Sequence, residues 1–197
     1  MQKEKNFLNL EGKLLVASPQ MADKRFSQSV IYMCSHTTNG AMGLTINKPT
    51  DILNFKQILE KLNINYINNK KIFETPVFMG GPVEYDRGFV LHSSEYILEN
   101  SNRVNKNFAV TSNSDILMDI ARGGGPHHSL FAIGYAGWTS GQIEYELQED
   151  SWIIVNADEE IVFGNDNENK WTKALSKVGK TIKNVTIASL SSTSGNA

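Results

Sequence analysis

The stretch Val30-Ile31-Tyr32-Met33-Cys34-Ser35-His36-Thr37-Thr38-Asn39-Gly40-Ala41-Met42-Gly43-Leu44-Thr45-Ile46-Asn47 decides how this chain is read. Two apolar runs flank Asn39-Gly40. Asn-Gly between such runs is the strongest short-range hairpin signal, because a type I′ turn needs positive φ at both central residues. Val30–His36 and Ala41–Asn47 are therefore predicted as antiparallel strands. Lys48-Pro49 ends the second, since proline has no N–H to give to a ladder. With Asn39-Gly40 at the turn centre, Thr38 pairs with Ala41, His36 with Gly43, Cys34 with Thr45 and Tyr32 with Asn47. Alternation then sends Ile31, Met33, Met42, Leu44 and Ile46 to a core face. Tyr32, Cys34, His36, Thr45 and Asn47 go to the other.

Further strands are read at Leu14–Ala17, Pro76–Met79, Gly88–His92, Phe108–Val110, Leu130–Trp138, Trp152–Val155 and Glu160–Phe163. Phe55, Ile58, Leu59 and Leu62 recur at helical spacing, as do Ile116, Leu117 and Ile120, with Asn113 or Ser114 as N-cap. Thr139 and Gln142 have capping-box spacing before Ile143 and Leu147. Trp171, Ala174, Leu175 and Val178 mark a last amphipathic helix. Residues 63–71 and 99–107 read as polar loops, and the tail 191–197 as a frayed end. Hairpins mixed with helices predict an α+β fold: one domain over 1–197, its core about residues 10–190. Its sheet is mixed but largely antiparallel, with about four flanking helices.

Composition sets limits on function. The 197 residues are 40% hydrophobic and 20% charged, enough for one sizeable core and unlike a disordered chain. Nineteen basic residues against twenty-one acidic ones leave a net charge of −2, so no global basic field draws the chain to nucleic acid or anionic membrane. The single cysteine, Cys34, excludes an internal disulfide framework and a multi-cysteine zinc site. Asn9, Glu11, Gly12 and Lys13 interrupt any secretory apolar run, and the apolar stretch near Leu130–Trp138 falls short of a membrane span. The expected location is the cytoplasm.

Three blocks, in order, resemble the YqgE/AlgH family of bacterial proteins. The first is Phe26-Ser27-Gln28-Ser29-Val30-Ile31-Tyr32-Met33-Cys34-Ser35-His36 with Asn39-Gly40-Ala41-Met42-Gly43-Leu44 and Asn47-Lys48-Pro49. The second is Gly80-Gly81-Pro82-Val83 with Asp86-Arg87-Gly88-Phe89-Val90-Leu91-His92-Ser93. The third is Gly134-Tyr135-Ala136-Gly137-Trp138 with Gly141-Gln142, Glu144, Glu146 and Trp152. The resemblance runs from about Leu10 onward. It implies a one-domain cytosolic α/β protein, no established enzymatic activity, and an association with transcriptional regulation.

The residues themselves offer one site. Tyr32, Cys34, His36, Thr45 and Asn47 would present a thiol, an imidazole, hydroxyls and an amide on one hairpin face, able to hold a small polar ligand or to pair thiolate with imidazole. Against this, residues two apart on a strand stand roughly 6.5–7 Å apart at Cα, and an antiparallel hairpin ordinarily has one wetter face. Gly123-Gly124-Gly125 follows a helix and reads as its stop, since a phosphate cradle would open one. His36, His92, His127 and His128 lack metal-ligand spacing and read as surface or edge residues, so neither metal nor cofactor is expected. Gly80-Gly81 reads as a backbone device, and Asp86-Arg87 as a salt bridge or half of an anion clamp. Trp138, Trp152 and Trp171 read as core anchors. Glu144, Glu146 and Glu149 read as a solvated helix face, as do the five lysines between Lys170 and Lys183. The preferred function is a non-enzymatic regulator working through a protein partner, with direct nucleic-acid contact disfavoured. The alternative is a small-molecule binder or enzyme on the hairpin face.

Overall fold

The computed structural model describes residues 8–68 and 70–179. The expected frayed tail and the lysines beyond 179 lie outside the described residues. Nine strands form one sheet: β1 Lys13–Ala17, β2 Val30–Thr37, β3 Gly40–Thr45, β4 Val77–Met79, β5 Val83–Ser93, β6 Ser101–Arg103, β7 Phe108–Thr111, β8 Ser129–Thr139 and β9 Trp152–Asn156. Their order is β6-β7-β5-β8-β3-β2-β1-β9, with β4 beside β8. Pairing is antiparallel except between β4 and β8. The fold is α+β, as expected. The loop predicted at 99–107 contains β6, a short edge strand on β7.

The long strand β8 organises the sheet. Its last residues, from Ala136 to Thr139, pair with β3. Its earlier residues, Phe131 to Ile133, have β5 on one side and β4 on the other. Gly80 and Gly81 make that split possible: a Cβ on either would overlap the β8 backbone at Gly134 to Ala136. The Gly80 carbonyl also accepts from Thr45 N at 2.8 Å, joining β4 to the end of β3.

The helices are α1 Phe55–Lys61, α2 Lys70–Glu74, α3 Asp115–Ala121, α4 Gln142–Gln148 and α5 Glu159–Phe163, followed by helical residues 170–179, here α6. Glu160–Phe163, predicted as a strand, is helical because the Asp158 carboxylate caps it, accepting from Ile161 N at 2.8 Å. Ser114 is the N-cap of α3 without a side-chain bond, and Asn113 Oδ1 accepts from Asp115 N instead. Gly123, at φ +84°, ends that helix in the left-handed region, as predicted.

The sheet is apolar on both faces. One face and helices α5 and α6 enclose Leu14, Tyr32, Leu44, Leu91, Phe108 and their neighbours. The other face is covered by α1 and α3 around Phe55, Ile116 and Phe131. At the β1–β9 end it is covered by α4 and the segment at Leu10, around Ile31, Met33, Trp138 and Trp152.

Candidate functional site

The hairpin forms where predicted, but its register differs. Thr37 pairs with Gly40, placing Thr38-Asn39 at the turn centre, and only Gly40 takes positive φ, at +144°. Met33 then lies opposite Gly43 and Ser35 opposite Met42, leaving Cys34 as the extra residue of a β-bulge. The bulge breaks strict alternation. Tyr32 and Cys34 join Leu44 and Ile46 in one core, while Ile31 and Met33 belong to another. His36 is aimed at Leu10 and α4, away from the thiol: its Nδ1 accepts from Leu10 N at 3.2 Å and its Nε2 lies 3.2 Å from Glu144 Oε1. Because Nδ1 accepts, Nε2 carries the proton and donates to Glu144.

The five residues expected on one face are therefore divided: Tyr32 and Cys34 share a core, and His36 turns to the opposite side. Cys34 is wholly buried, and burial, with the negative Glu11 nearby, pushes its thiol up to about 12. Burial likewise raises the Tyr32 phenol far above its ordinary range. Thr45 is buried at the β3–β4 junction. Asn47 lies past the end of β3, where its Oδ1 accepts from Val30 N and its Nδ2 donates to Gln28 O, both at 2.8 Å. His36, Asn47, Cys34 and Tyr32 are all engaged by structural neighbours, and Cys34 and His36 form no thiolate–imidazole pair.

A different constellation gathers where α4 crosses β8 and β9. Trp138 and Trp152 stand 6.0 Å apart, edge to face at 78°, and Phe26 packs on Trp152 at 5.6 Å. Both indole N–H groups donate to one oxygen, Glu146 Oε2, at 2.9 and 2.7 Å. Gln142 Nε2 donates to the other, Oε1, at 2.9 Å. Gln142 Oε1 in turn accepts from Thr139 N, but the N-cap of α4 is Gly141 rather than the expected Thr139, so no capping box forms. The pair Asp23–Arg25 closes the lip. Arg25 donates to both Asp23 oxygens, holding that carboxyl below the ordinary range, and its guanidinium lies 5.9 Å from the Phe26 ring centroid. Together with Met21, Pro82 and Gly137 these residues line a pocket of about 390 Å³.

Glu144 and Glu146 were expected in solvent. In the helix they instead flank the apolar stripe of Ile143 and Leu147, one reaching His36 and the other the two tryptophans. A legible signal existed. A buried indole needs an acceptor, and Trp138 and Trp152 bracket the α4 glutamates in sequence. The pocket also joins residues from all three blocks that carry the family resemblance: Phe26 from the first, Pro82 from the second, and Trp138, Gln142, Glu146 and Trp152 from the third.

Other expected features fall into structural roles. Arg87 pairs with Glu84 at 3.0 Å rather than with Asp86, and lies 5.1 Å from the Phe89 ring centroid. His36 and His92 are buried, not superficial. His92 donates from Nδ1 to Ser93 O and bonds Thr111 Oγ1 through Nε2, and burial lowers its pKa. Among the described residues no three His, Cys, Asp or Glu side chains cluster to hold a metal ion, and no helix is long and apolar enough to cross a membrane.

Comparison with known proteins identifies the group. The pattern of the AlgH-like family matches residues 14–183. A UPF0301 protein of Bradyrhizobium sp. (strain BTAi1) is 47% identical over 176 residues, covering 86% of this chain and 82% of its own. A UPF0301 protein of Cereibacter sphaeroides is 44% identical over 191 residues, covering 96% and 100%. The solution structure of the AlgH protein from Pseudomonas aeruginosa superposes with a TM-score of 0.76 at 36% identity, over 99% of this chain and 100% of that one. Protein DIP2367 from Corynebacterium diphtheriae shares the fold, with a TM-score of 0.62 at 20% identity over 85% and 86%. With the pattern spanning most of its length and relatives this similar, the chain belongs to the AlgH-like family.

Proposed function

We propose that this protein is a cytoplasmic, non-enzymatic regulator that binds a protein partner through the Trp138–Trp152 pocket, and that any effect on transcription passes through that partner. The observation carrying this reading is the chemistry of the pocket. Two indoles and a phenyl ring wall a cleft with a carboxylate in its floor, an arrangement suited to a cationic side chain presented by a partner. The chain's own Arg25 guanidinium, set over Phe26 at the lip, illustrates the kind of group that fits. The net charge of −2 supports an indirect route to DNA. A single buried free cysteine suits a reducing compartment.

The test is tryptophan fluorescence during titration with N-acetyl-arginine amide and with an arginine-containing peptide. A norleucine peptide serves as control. A saturable arginine-specific change, lost in Trp152→Phe and weakened in Glu146→Gln, is expected. In parallel, duplex DNA at low salt should give no binding. An unchanged spectrum with arginine, or DNA binding that falls steeply with salt, would reject the proposal.

A further inference from the structure

Lys170, at the start of α6, is the only lysine or arginine buried among the described residues, at 2% exposure. Its Nζ donates to Ile46 O at 2.9 Å and to Val162 O at 3.2 Å, and stands 5.7 Å from the Phe78 ring centroid. No carboxylate lies within ion-pair distance of it among the described residues. Asp166, the carboxylate that acts on it most, is engaged by Lys173 at 2.8 Å and by Asn169. A buried ammonium held only by neutral dipoles is under-compensated, and an ammonium has three N–H groups, of which the two carbonyls use two.

Lys170 also borders a cleft of about 640 Å³ between α2, the start of β8 and the α5–α6 connection. Phe163 lies in its wall, with the His128 ring stacked on it at 5.5 Å and 18°. Asn167 is in the same wall, and its Oδ1 is buried with no hydrogen-bond partner. A residue with a buried, donorless acceptor and a residue with a buried cation and no paired anion thus border one open space, and a ligand there meets both groups once the side chains turn toward the cleft.

We propose that this cleft binds a small oxyanion that carries its own hydroxyl. Its acid oxygens accept from the Lys170 ammonium, its O–H donates to Asn167 Oδ1, and its body lies on the Phe163–His128 stack. Dihydrogen phosphate and a 2-hydroxycarboxylate are the minimal examples of that chemistry. Charge-assisted hydrogen bonds of this type are the strong ones, and burial keeps salt from screening them. The site is separate from the Trp138–Trp152 pocket and does not depend on the proposed function.

The experiment is a calorimetric and NMR titration of the whole chain with sodium phosphate and with sodium lactate, against sodium chloride at matched ionic strength. At least one probe should saturate and shift the Lys170, Asn167 and His128 resonances. Lys170→Met should weaken binding tenfold or more, and Asn167→Ala should weaken it less while leaving the ammonium in place. Raising the pH from 7 to 9.5 should also weaken lactate binding to the unaltered chain, since lactate keeps one charge across this range. The other charged or titratable groups facing the cleft are Lys70, Glu74, His127 and His128, with Asp166 and Lys173 beside it, and the same series on Lys170→Met separates their effect from that of Lys170. If Lys170→Met does not fold, Asn167→Ala and the pH series decide. No saturable response beyond chloride, a response confined to resonances outside the cleft, or equal binding by the variants would overturn the proposal.

Discussion

Replacing Lys170 by methionine should change the pH dependence of stability more than stability itself. Methionine keeps the length and apolar body of the side chain while removing its charge. Burial lowers the lysine from 10.5 to about 8 in the folded protein, with Asp166 opposing and Lys173 reinforcing that change. The folded chain therefore gives up this proton near pH 8, while the unfolded chain keeps it to 10.5. Between those values the unfolded state binds more protons, so stability rises with pH. Below about pH 8 the full penalty is present; above 10.5 it is gone. At about 1.4 kcal/mol per pH unit, the interval is worth about 3 kcal/mol. Cys34 acts in the opposite sense. Its thiol moves from 9.0 to about 12, so its contribution is complete below pH 9 and is lost as pH rises toward 12. Tyr32 follows from pH 10 upward. The unaltered chain alone is therefore a poor readout, but its difference from Lys170→Met cancels both groups. Urea unfolding of both proteins at intervals from pH 7 to 10.5 should show the unaltered chain gaining about 3 kcal/mol on the variant. The loss of two hydrogen bonds to Ile46 and Val162 offsets the whole curve without tilting it. A difference that stays flat within about 0.5 kcal/mol would mean that Lys170 remains solvated, and would refute the reasoning.

Three further outcomes follow from the same geometry. Cys34 should resist an aromatic disulfide reagent at pH 8 in the native protein and react fully in urea; stoichiometric labelling of the native chain within minutes would contradict its burial. Glu146→Ala strands two indole N–H groups and should cost about 2–4 kcal/mol in denaturant unfolding, whereas Glu146→Gln keeps a carbonyl acceptor and should cost about 1 kcal/mol. Gly81→Ala drives a methyl group into the Tyr135 and Ala136 backbone and should lose 3 kcal/mol or more, roughly, or fail to fold. Gly141→Ala meets open space and pays only for its φ of +75°, about 1–2 kcal/mol. Equal losses at the two glycines would remove the case for close backbone approach at Gly81.

What the sequence could reveal was set by the range of the interactions involved. The hairpin at Val30–Asn47 was legible because Asn39-Gly40 and the apolar runs act locally. Its register was not, because the turn centres on Thr38-Asn39 and the bulge at Cys34 answers to packing on both sides of β2. Alternation assigns faces only when one face is wet; here Tyr32 and Met33 are both buried, so a polar-looking stripe carried no information about solvent. Glu160–Phe163 illustrates a second limit. A short β-branched run fits a strand or a capped turn of helix equally, and Asp158 decides it. Lys170 illustrates a third. Its spacing within the helix continues to Lys173 and Lys177, which reach Asp166 and Asp158 nearer the surface, and only carbonyls supplied by Ile46 and Val162 take Lys170 out of water. The Glu146 pocket lies between these cases. Both tryptophans were read as anchors, but their N–H groups had to end on an acceptor, and α4, joining β8 to β9, carries the nearest carboxylates in sequence. A buried donor must end on an acceptor, and that requirement draws Glu146 out of a row of otherwise surface glutamates and into a site.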